Sequence, residues 1–363
     1  MKDERRCSKC VIPRLAHSIE FDEKGRCEIC NNDMGVTLNA NIEENLKNHI
    51  DEIKRMGKSR SYDCLVGLSG GRDSAYLLYL LVKKHNLRCM AAYYKTPFTP
   101  EVVDKNVKML TKKLNVPLVE MNISRENHKN LAQKMMLLWI KKPNNIIANL
   151  ACAACKQVNR EIYKIAQKND IGYIIFGGNK LETFQFGAAQ SEKSKINELK
   201  EVSSLERIKQ TIRVARHGAS ILFQQPKLFL DFPTLFKASI LYLNPHTPYL
   251  RMRYSNIKMM EYYYIAGYDE KAVIKFLSDV GWEIPDNCNS TWRADCSFNE
   301  MKNYMFKKGA GLTYTDAYLS NMIRTGALTR EKALKRAQIE GKISQDRIKE
   351  VCDILEIPIN SFQ

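Results

Sequence analysis

The chain of 363 residues contains no run of about 20 uninterrupted apolar residues, so a spanning helix is not expected. Its richest apolar stretch, 219–243, is interrupted by Lys227, Asp231, Pro233 and Lys237. Residues 1–6 are charged and no apolar core follows them, so no secretory leader is read and a cytoplasmic, membrane-free protein is expected. Internal repeats and low-complexity tracts are missing. With 17 Gly and 11 Pro, the composition excludes a collagen-like or disordered chain. Acidic residues are in deficit: 57 Lys+Arg stand against 40 Asp+Glu, a net charge of +17. What is present, 44% hydrophobic and 27% charged residues, is the balance of an ordinary globular protein with room for two or three domains.

Eleven cysteines are many for a reducing compartment, where clustered thiols are more often metal-binding or catalytic than bridged. Cys64, Cys89 and Cys352 lie in apolar segments and are expected to pack as small hydrophobes. The other eight are paired in sequence.

Strand-like runs at 62–68, 87–93, 117–121 and 172–176 alternate with helical patterns at 73–84, 100–114, 126–139 and 161–168. That alternation predicts an α/β domain with a parallel sheet and helices on both faces. A polar helix at 42–56 reads as a connector. Beyond residue 187 the pattern is mainly helical, with a charged stretch at 198–215, helices at 253–265 and 270–280, and two or three short helices over 304–354. Thr329 is placed as a helix N-cap with Glu331 in the first turn. The expected division is a module at 1–40, a connector at 41–60, an α/β domain at 61–187 and a helical closing domain at 188–363.

The segment Ser69-Gly70-Gly71-Arg72-Asp73-Ser74 follows a buried strand and opens a helix. Two glycines let successive N–H groups point into one concavity, and the helix N-terminus adds partial positive charge. Ser69 and Ser74 can donate to phosphate oxygens, Asp73 can hold Mg²⁺, and Arg72 can screen leaving charge. The Walker A spacing is absent. The segment resembles the PP-loop of the adenine nucleotide alpha-hydrolase superfamily, and the likeness extends over about 61–187. It implies cleavage of ATP between the α- and β-phosphates, adenylation of a substrate oxygen and displacement of AMP by a nucleophile. By the same resemblance, the end of the second strand, 91–95 with Tyr93, lies near the adenine. The run Phe176-Gly177-Gly178-Asn179-Lys180-Leu181-Glu182 resembles the family's Gly-x-Asn-x-x-(Asp/Glu) loop, which adds Gly177 and Asn179 to the expected nucleotide contacts.

Cys7-x2-Cys10 and Cys27-x2-Cys30, 16 residues apart, fit a four-thiolate zinc site closed to catalysis. Similar N-terminal modules occur in N-acetyl-sugar amidotransferases of surface-glycan synthesis and in tRNA-thiolating PP-loop enzymes.

Cys152-Ala-Ala-Cys155-Lys156 lies just before a helix, where Lys156 and the helix end favour a thiolate. The segment resembles the C-x2-C of PP-loop sulfurtransferases. That likeness implies a [4Fe-4S] cluster on Cys152, Cys155 and either Cys288 or Cys296, with one iron left open for sulfide. A redox dithiol, a second zinc and a structural pair are the competing readings. The C-terminal half instead resembles the sugar amidotransferases, through Met305-Phe306-Lys307-Lys308-Gly309, Ile323-Arg324-Thr325-Gly326 and Leu328-Thr329-Arg330-Glu331. Two reactions follow from the mixture: sulfur transfer to a thioamide, thiocarbonyl or thionucleobase, or nitrogen transfer from a glutaminase subunit to an acetamidino sugar. A non-catalytic protein binding ATP and RNA is the third reading.

The expected substrate is a small or nucleotide-linked molecule, with tRNA as an alternative acceptor, a sulfur-donor protein as partner and a homo-oligomeric assembly. Arg251, Arg253 and Lys258 among Tyr254 and Tyr262–Tyr264 read as a helix with a wet face and an aromatic core face. His246 and Asp295 receive no catalytic role, and Trp282 and Trp292 read as core.

Overall fold

The computed structural model describes residues 6–16, 19–32, 41–143, 145–182, 231–243 and 248–362. The expected charged helix at 198–215, the boundary at 187 and His246 lie outside the described residues. Strands β1 (Cys64–Leu68), β2 (Cys89–Tyr93), β3 (Leu118–Glu120), β4 (Tyr173–Phe176) and β5 (Lys258–Glu261) form one sheet in the order β3-β2-β1-β4-β5. Every pairing is parallel, with Leu65 opposite both Met90 and Ile174. β1 and β2 are buried along their whole length, as expected of central strands covered on both faces. The strand order reverses between β1 and β4, and ligands of open parallel sheets bind above such a switch point. The loop after β1 and the turn after β4 both open there.

The helices are α1 (Ile42–Gly57), α2 (Arg72–Tyr79), α3 (Glu101–Lys113), α4 (Arg125–Lys141), α5 (Val158–Lys168), α6 (Phe232–Leu243), α7 (Glu270–Val280), α8 (Phe298–Ala310), α9 (Tyr314–Arg324), α10 (Arg330–Glu340) and α11 (Gln345–Leu355), with shorter turns between them. α2 continues into a π-helical turn at Leu80–Lys84. Thr329 caps α10 as expected, its hydroxyl accepting from the Lys332 N–H.

Two expectations fail in the C-terminal half. The run 253–265 is not one helix: Arg253 ends a short helix from Pro248, Lys258–Glu261 forms edge strand β5 and a second short helix follows at Tyr262–Ala266. Pairing Tyr173–Phe176 with Lys258–Glu261 satisfies the outer edge of β4, a tertiary demand that overrides local pattern. The segment 304–354 holds parts of four helices rather than two or three, the first starting at Phe298.

Cys7, Val11 and Ile12 share one hydrophobic cluster with Trp139 of α4 and with Met305, Tyr318 and Val351 of the C-terminal helices. The cysteine module is thus packed into the body. Cys64, Cys89 and Cys352 are buried. Among the described residues no helix is long and apolar enough to cross a membrane.

Candidate active site: a phosphate loop beside three thiols

Gly70 has φ +85°, and a Cβ there would meet Val103 Cγ1 at 2.5 Å, so the turn after β1 requires glycine. The Ser69 hydroxyl accepts from the Gly71 N–H at 3.0 Å and lies 3.2 Å from the Ser74 hydroxyl. The loop is therefore closed on itself at the N-terminus of α2. Gly177 comes within contact of this loop: a Cβ there would lie 3.3 Å from Ser74 N and from the Asp73 carbonyl. Ser69–Ser74, Gly177 and Asn179 are thus brought together above the switch point.

Asp73 is the charged centre. Its carboxylate accepts from Asn179 Nδ2 at 3.0 Å and from the Tyr268 hydroxyl at 2.7 Å. Burial pushes this carboxyl up to about 6, Arg72 partly opposes that, and Glu182 nearby adds to it. Two mutually repelling carboxylates beside a phosphate loop fit Mg²⁺, a hard cation that takes one or two carboxylates plus substrate phosphates. Glu182 is fixed by Trp292, whose indole N–H donates to it at 2.7 Å, and by Arg293 at 3.7 Å.

Two expected nucleotide contacts have other partners in the structure. The Arg72 guanidinium pairs with the loop's Asp73 at 3.3 Å and donates to Thr291 Oγ1 at 2.7 Å, Glu270 Oε1 at 2.7 Å and the Tyr318 hydroxyl at 2.9 Å. Only 3% exposed, it fastens α2 to the C-terminal helices. Tyr93 is fully buried, its Cε2 3.7 Å from where a Cβ on Gly70 would lie, so its side chain supports the loop.

A strap at 291–296 joins the loop to the second cysteine set. Thr291 accepts from Arg72, Trp292 donates to Glu182, and Asp295 stands beside Gly71, its Oδ2 3.3 Å from where a Cβ would lie. Cys296 is next in the chain and interacts electrostatically with Cys152 and Cys155. The Cys288 sulfur contacts the Arg347 guanidinium. Burial pushes the Cys155 thiol up, and the Cys296 thiol up to about 12. The expectation that a helix end and Lys156 favour the Cys155 thiolate is therefore outweighed by burial. Cys155 Sγ lies 3.6 Å from His128 Nε2, and His128 Nδ1 lies 2.8 Å from the Tyr94 hydroxyl. Cys155 and Cys296 are held toward the neutral form until a metal or electrophile takes the proton's place, and Cys152 is the third thiol near them.

The N-terminal set is different. The sulfurs of Cys7, Cys10, Cys27 and Cys30 all lie within 4.8 Å of one another, with Cys10 and Cys27 at 3.7 Å. Tetrahedral Zn–S bonds of about 2.3 Å place sulfurs about 3.8 Å apart, so the donor set fits Zn²⁺ and is far from disulfide contact. The N–H groups of Lys9, Cys10 and Cys27 donate to Cys7 Sγ. Hydrogen bonds from its neighbours drive Cys7 toward the thiolate, whereas Cys27 and Cys30 are driven toward the thiol. A dication removes that conflict. Arg330 donates to the carbonyls of Cys7 and Cys10, and Arg324 reaches Cys30 Sγ.

His128, Tyr268, Glu270 and Thr291 escape a sequence reading. The one usable signal is His128, a lone imidazole in an otherwise apolar helix face with Leu131 and Met135. Trp292 is core as expected, buried and stacked on Tyr318, while Asp295 stands at the loop, contrary to its bland sequence reading.

No family model matches the chain, and no curated protein matches it. Among solved structures, it is similar to an NMN synthetase from Francisella tularensis (14% identity, 84% of this chain and 95% of that chain, TM-score 0.37). It is also similar to the U34-tRNA thiolase NcsA from Methanococcus maripaludis with its [4Fe-4S] cluster (13% identity, 96% and 95%, TM-score 0.33). A third is an NH3-dependent NAD synthetase from Campylobacter jejuni in complex with nitrate (16% identity, 55% and 96%, TM-score 0.26).

Proposed function

We propose that the chain is an ATP-dependent adenylating transferase of the PP-loop kind that inserts sulfur into its acceptor. The observation that carries this reading is the strap at 291–296, whose Asp295 stands beside Gly71 and whose Thr291 accepts from Arg72, with Cys296 next in the chain. An acceptor oxygen attacks the α-phosphorus of ATP and pyrophosphate leaves. The N–H groups at Gly70–Ser74 and the α2 N-terminus stabilise the charge that develops on it. Asp73 and Glu182 would hold Mg²⁺, oriented by Asn179, Tyr268 and Trp292. Sulfur then attacks the activated carbon, and AMP departs with the former acceptor oxygen.

Cys152, Cys155 and Cys296 would hold a [4Fe-4S] cluster, which supplies an open iron for sulfide. His128 orients Cys155, and Tyr94 orients His128. Zinc at Cys7, Cys10, Cys27 and Cys30 is structural. Arg324 and Arg330, which stand in the segments that resemble the sugar amidotransferases, grip this zinc module. That role accounts for them without specifying nitrogen as the transferred atom. The test is the iron content of anaerobically purified protein together with ATP–pyrophosphate exchange. A brown protein whose exchange needs Asp73 supports the reading; a colourless, zinc-only protein returns the choice to the amidotransferase.

A further inference from the structure

Strand β5 ends beside the candidate active site, and its last residue has no part in the reaction described above. Glu261 pairs in register with Phe176, one residue before Gly177. Its Oε2 accepts from the Gly178 N–H at 2.8 Å, and a Cβ on Gly178 would lie only 2.5 Å from that oxygen. Gly178 stands in the turn that leaves β4, and this turn carries the groups around the candidate cation. Gly177 abuts Ser74 N and the Asp73 carbonyl. Asn179 Nδ2 donates to the Asp73 carboxylate at 3.0 Å. Asn179 Oδ1 accepts from the Leu181 N–H at 3.0 Å, and its carbonyl accepts from the Glu182 N–H at 3.2 Å. Asp73 and Glu182 are therefore joined through one turn, and Glu261 holds that turn by its backbone. The residues after Glu261 add to the grip. The Tyr263 hydroxyl donates to the Asp73 carbonyl at 2.9 Å, and that of Tyr268 to the Asp73 carboxylate at 2.7 Å.

Folding stability does not account for the Glu261 contact. The residue is exposed, so water competes for both partners and one hydrogen bond contributes little. A carboxylate accepting from a backbone N–H does fix direction. Metal sites depend on such groups, because they orient the ligands that touch the ion. We propose that Glu261 is a positioning residue of the metal–nucleotide site, fixing the Gly177-Gly178-Asn179 turn so that Asp73 and Glu182 face one Mg²⁺. This role rests on the reading of those two carboxylates as the Mg²⁺ ligands.

The test is Mn²⁺ binding to the full-length protein, read by electron paramagnetic resonance with α,β-methylene-ATP present, beside ATP–pyrophosphate exchange on the same samples. Glu261→Ala should weaken Mn²⁺ at least about tenfold, as loss of a group that orients metal ligands does, with little change in thermal midpoint. Glu261→Gln keeps an acceptor for the N–H and should recover the affinity to within about threefold of wild type. Gly178→Ala removes the same contact from the other side. Its Cβ meets only the flexible end of Glu261, so the variant should fold and match Glu261→Ala. The double variant should be no weaker than either single one, because both delete one contact. If Glu261→Ala does not fold, Gly178→Ala carries the comparison. Mn²⁺ affinity unmoved by both alanines, additive losses in the double variant, or a Gln variant as weak as the Ala one overturns the positioning role. Glu261-dependent Mn²⁺ binding without exchange in wild type sinks the adenylation reading and leaves the positioning. Exchange in a protein whose Mn²⁺ binding ignores Glu261 does the reverse. A wild type that binds no Mn²⁺ sinks both.

Discussion

In the N-terminal knuckle, four sulfurs crowd within 4.8 Å, three backbone N–H groups converge on Cys7, and two arginines hold the module from outside. Near Cys152, Cys155 lies 3.6 Å from His128 and Cys296 follows Asp295, which stands beside the phosphate loop. Both sets contain a C-x2-C. The first would saturate a zinc ion with protein ligands and offer nothing to a substrate. The second, with three thiols, would leave a metal centre one position open, which is what a reaction can use.

The largest expected effect breaks the knuckle alone. Cys10→Ser should lose zinc and a large part of the chain's stability, because a structural zinc site contributes on the order of 10 kcal/mol. Cys155→Ser should keep its zinc; metal analysis and thermal unfolding of the two variants read the contrast. Next, Asp73→Ala should lower ATP–pyrophosphate exchange at least about 100-fold, or about 3 kcal/mol of transition-state stabilisation. Its thermal midpoint should not fall much, since the buried carboxylate is itself held in an unfavourable ionised form.

His128 sharpens the second set. Burial pushes its imidazole down to about 4, from about 6.5 in the unfolded chain. The unfolded state therefore takes up this proton first as pH falls, and stability drops between about 6.5 and 4, by at most about 3 kcal/mol. Urea midpoints at pH 7.5 and 4.5 should differ less in His128→Gln than in wild type. A smaller effect belongs to Arg72→Lys, which loses a planar fork shared by Thr291, Glu270 and Tyr318. It should cost about 1–2 kcal/mol of stability while exchange survives. Exchange lost outright would return Arg72 to the nucleotide.

The parts legible in sequence were those written locally. Two C-x2-C pairs at zinc spacing declared the knuckle, and Ser-Gly-Gly-Arg-Asp-Ser between strand and helix declared the loop. Residues joined by long-range packing were not legible. Arg72 reads as a phosphate ligand in its hexapeptide, but residues about 200 positions away capture it. β5 was hidden because Lys258–Glu261 is a strand only against β4. The choice between Cys288 and Cys296 depended on which side of the strap faces Cys152, and no spacing rule encodes that.

The central claim is that Cys152, Cys155 and Cys296 form the sulfur-handling centre while Cys288 stands outside it. Iron and zinc quantification on anaerobically purified Cys296→Ser and Cys288→Ser tests this most directly. The account predicts zinc in both variants, and iron with brown colour in Cys288→Ser only. Iron retained in Cys296→Ser but lost in Cys288→Ser, or iron absent from the wild-type protein, would contradict it.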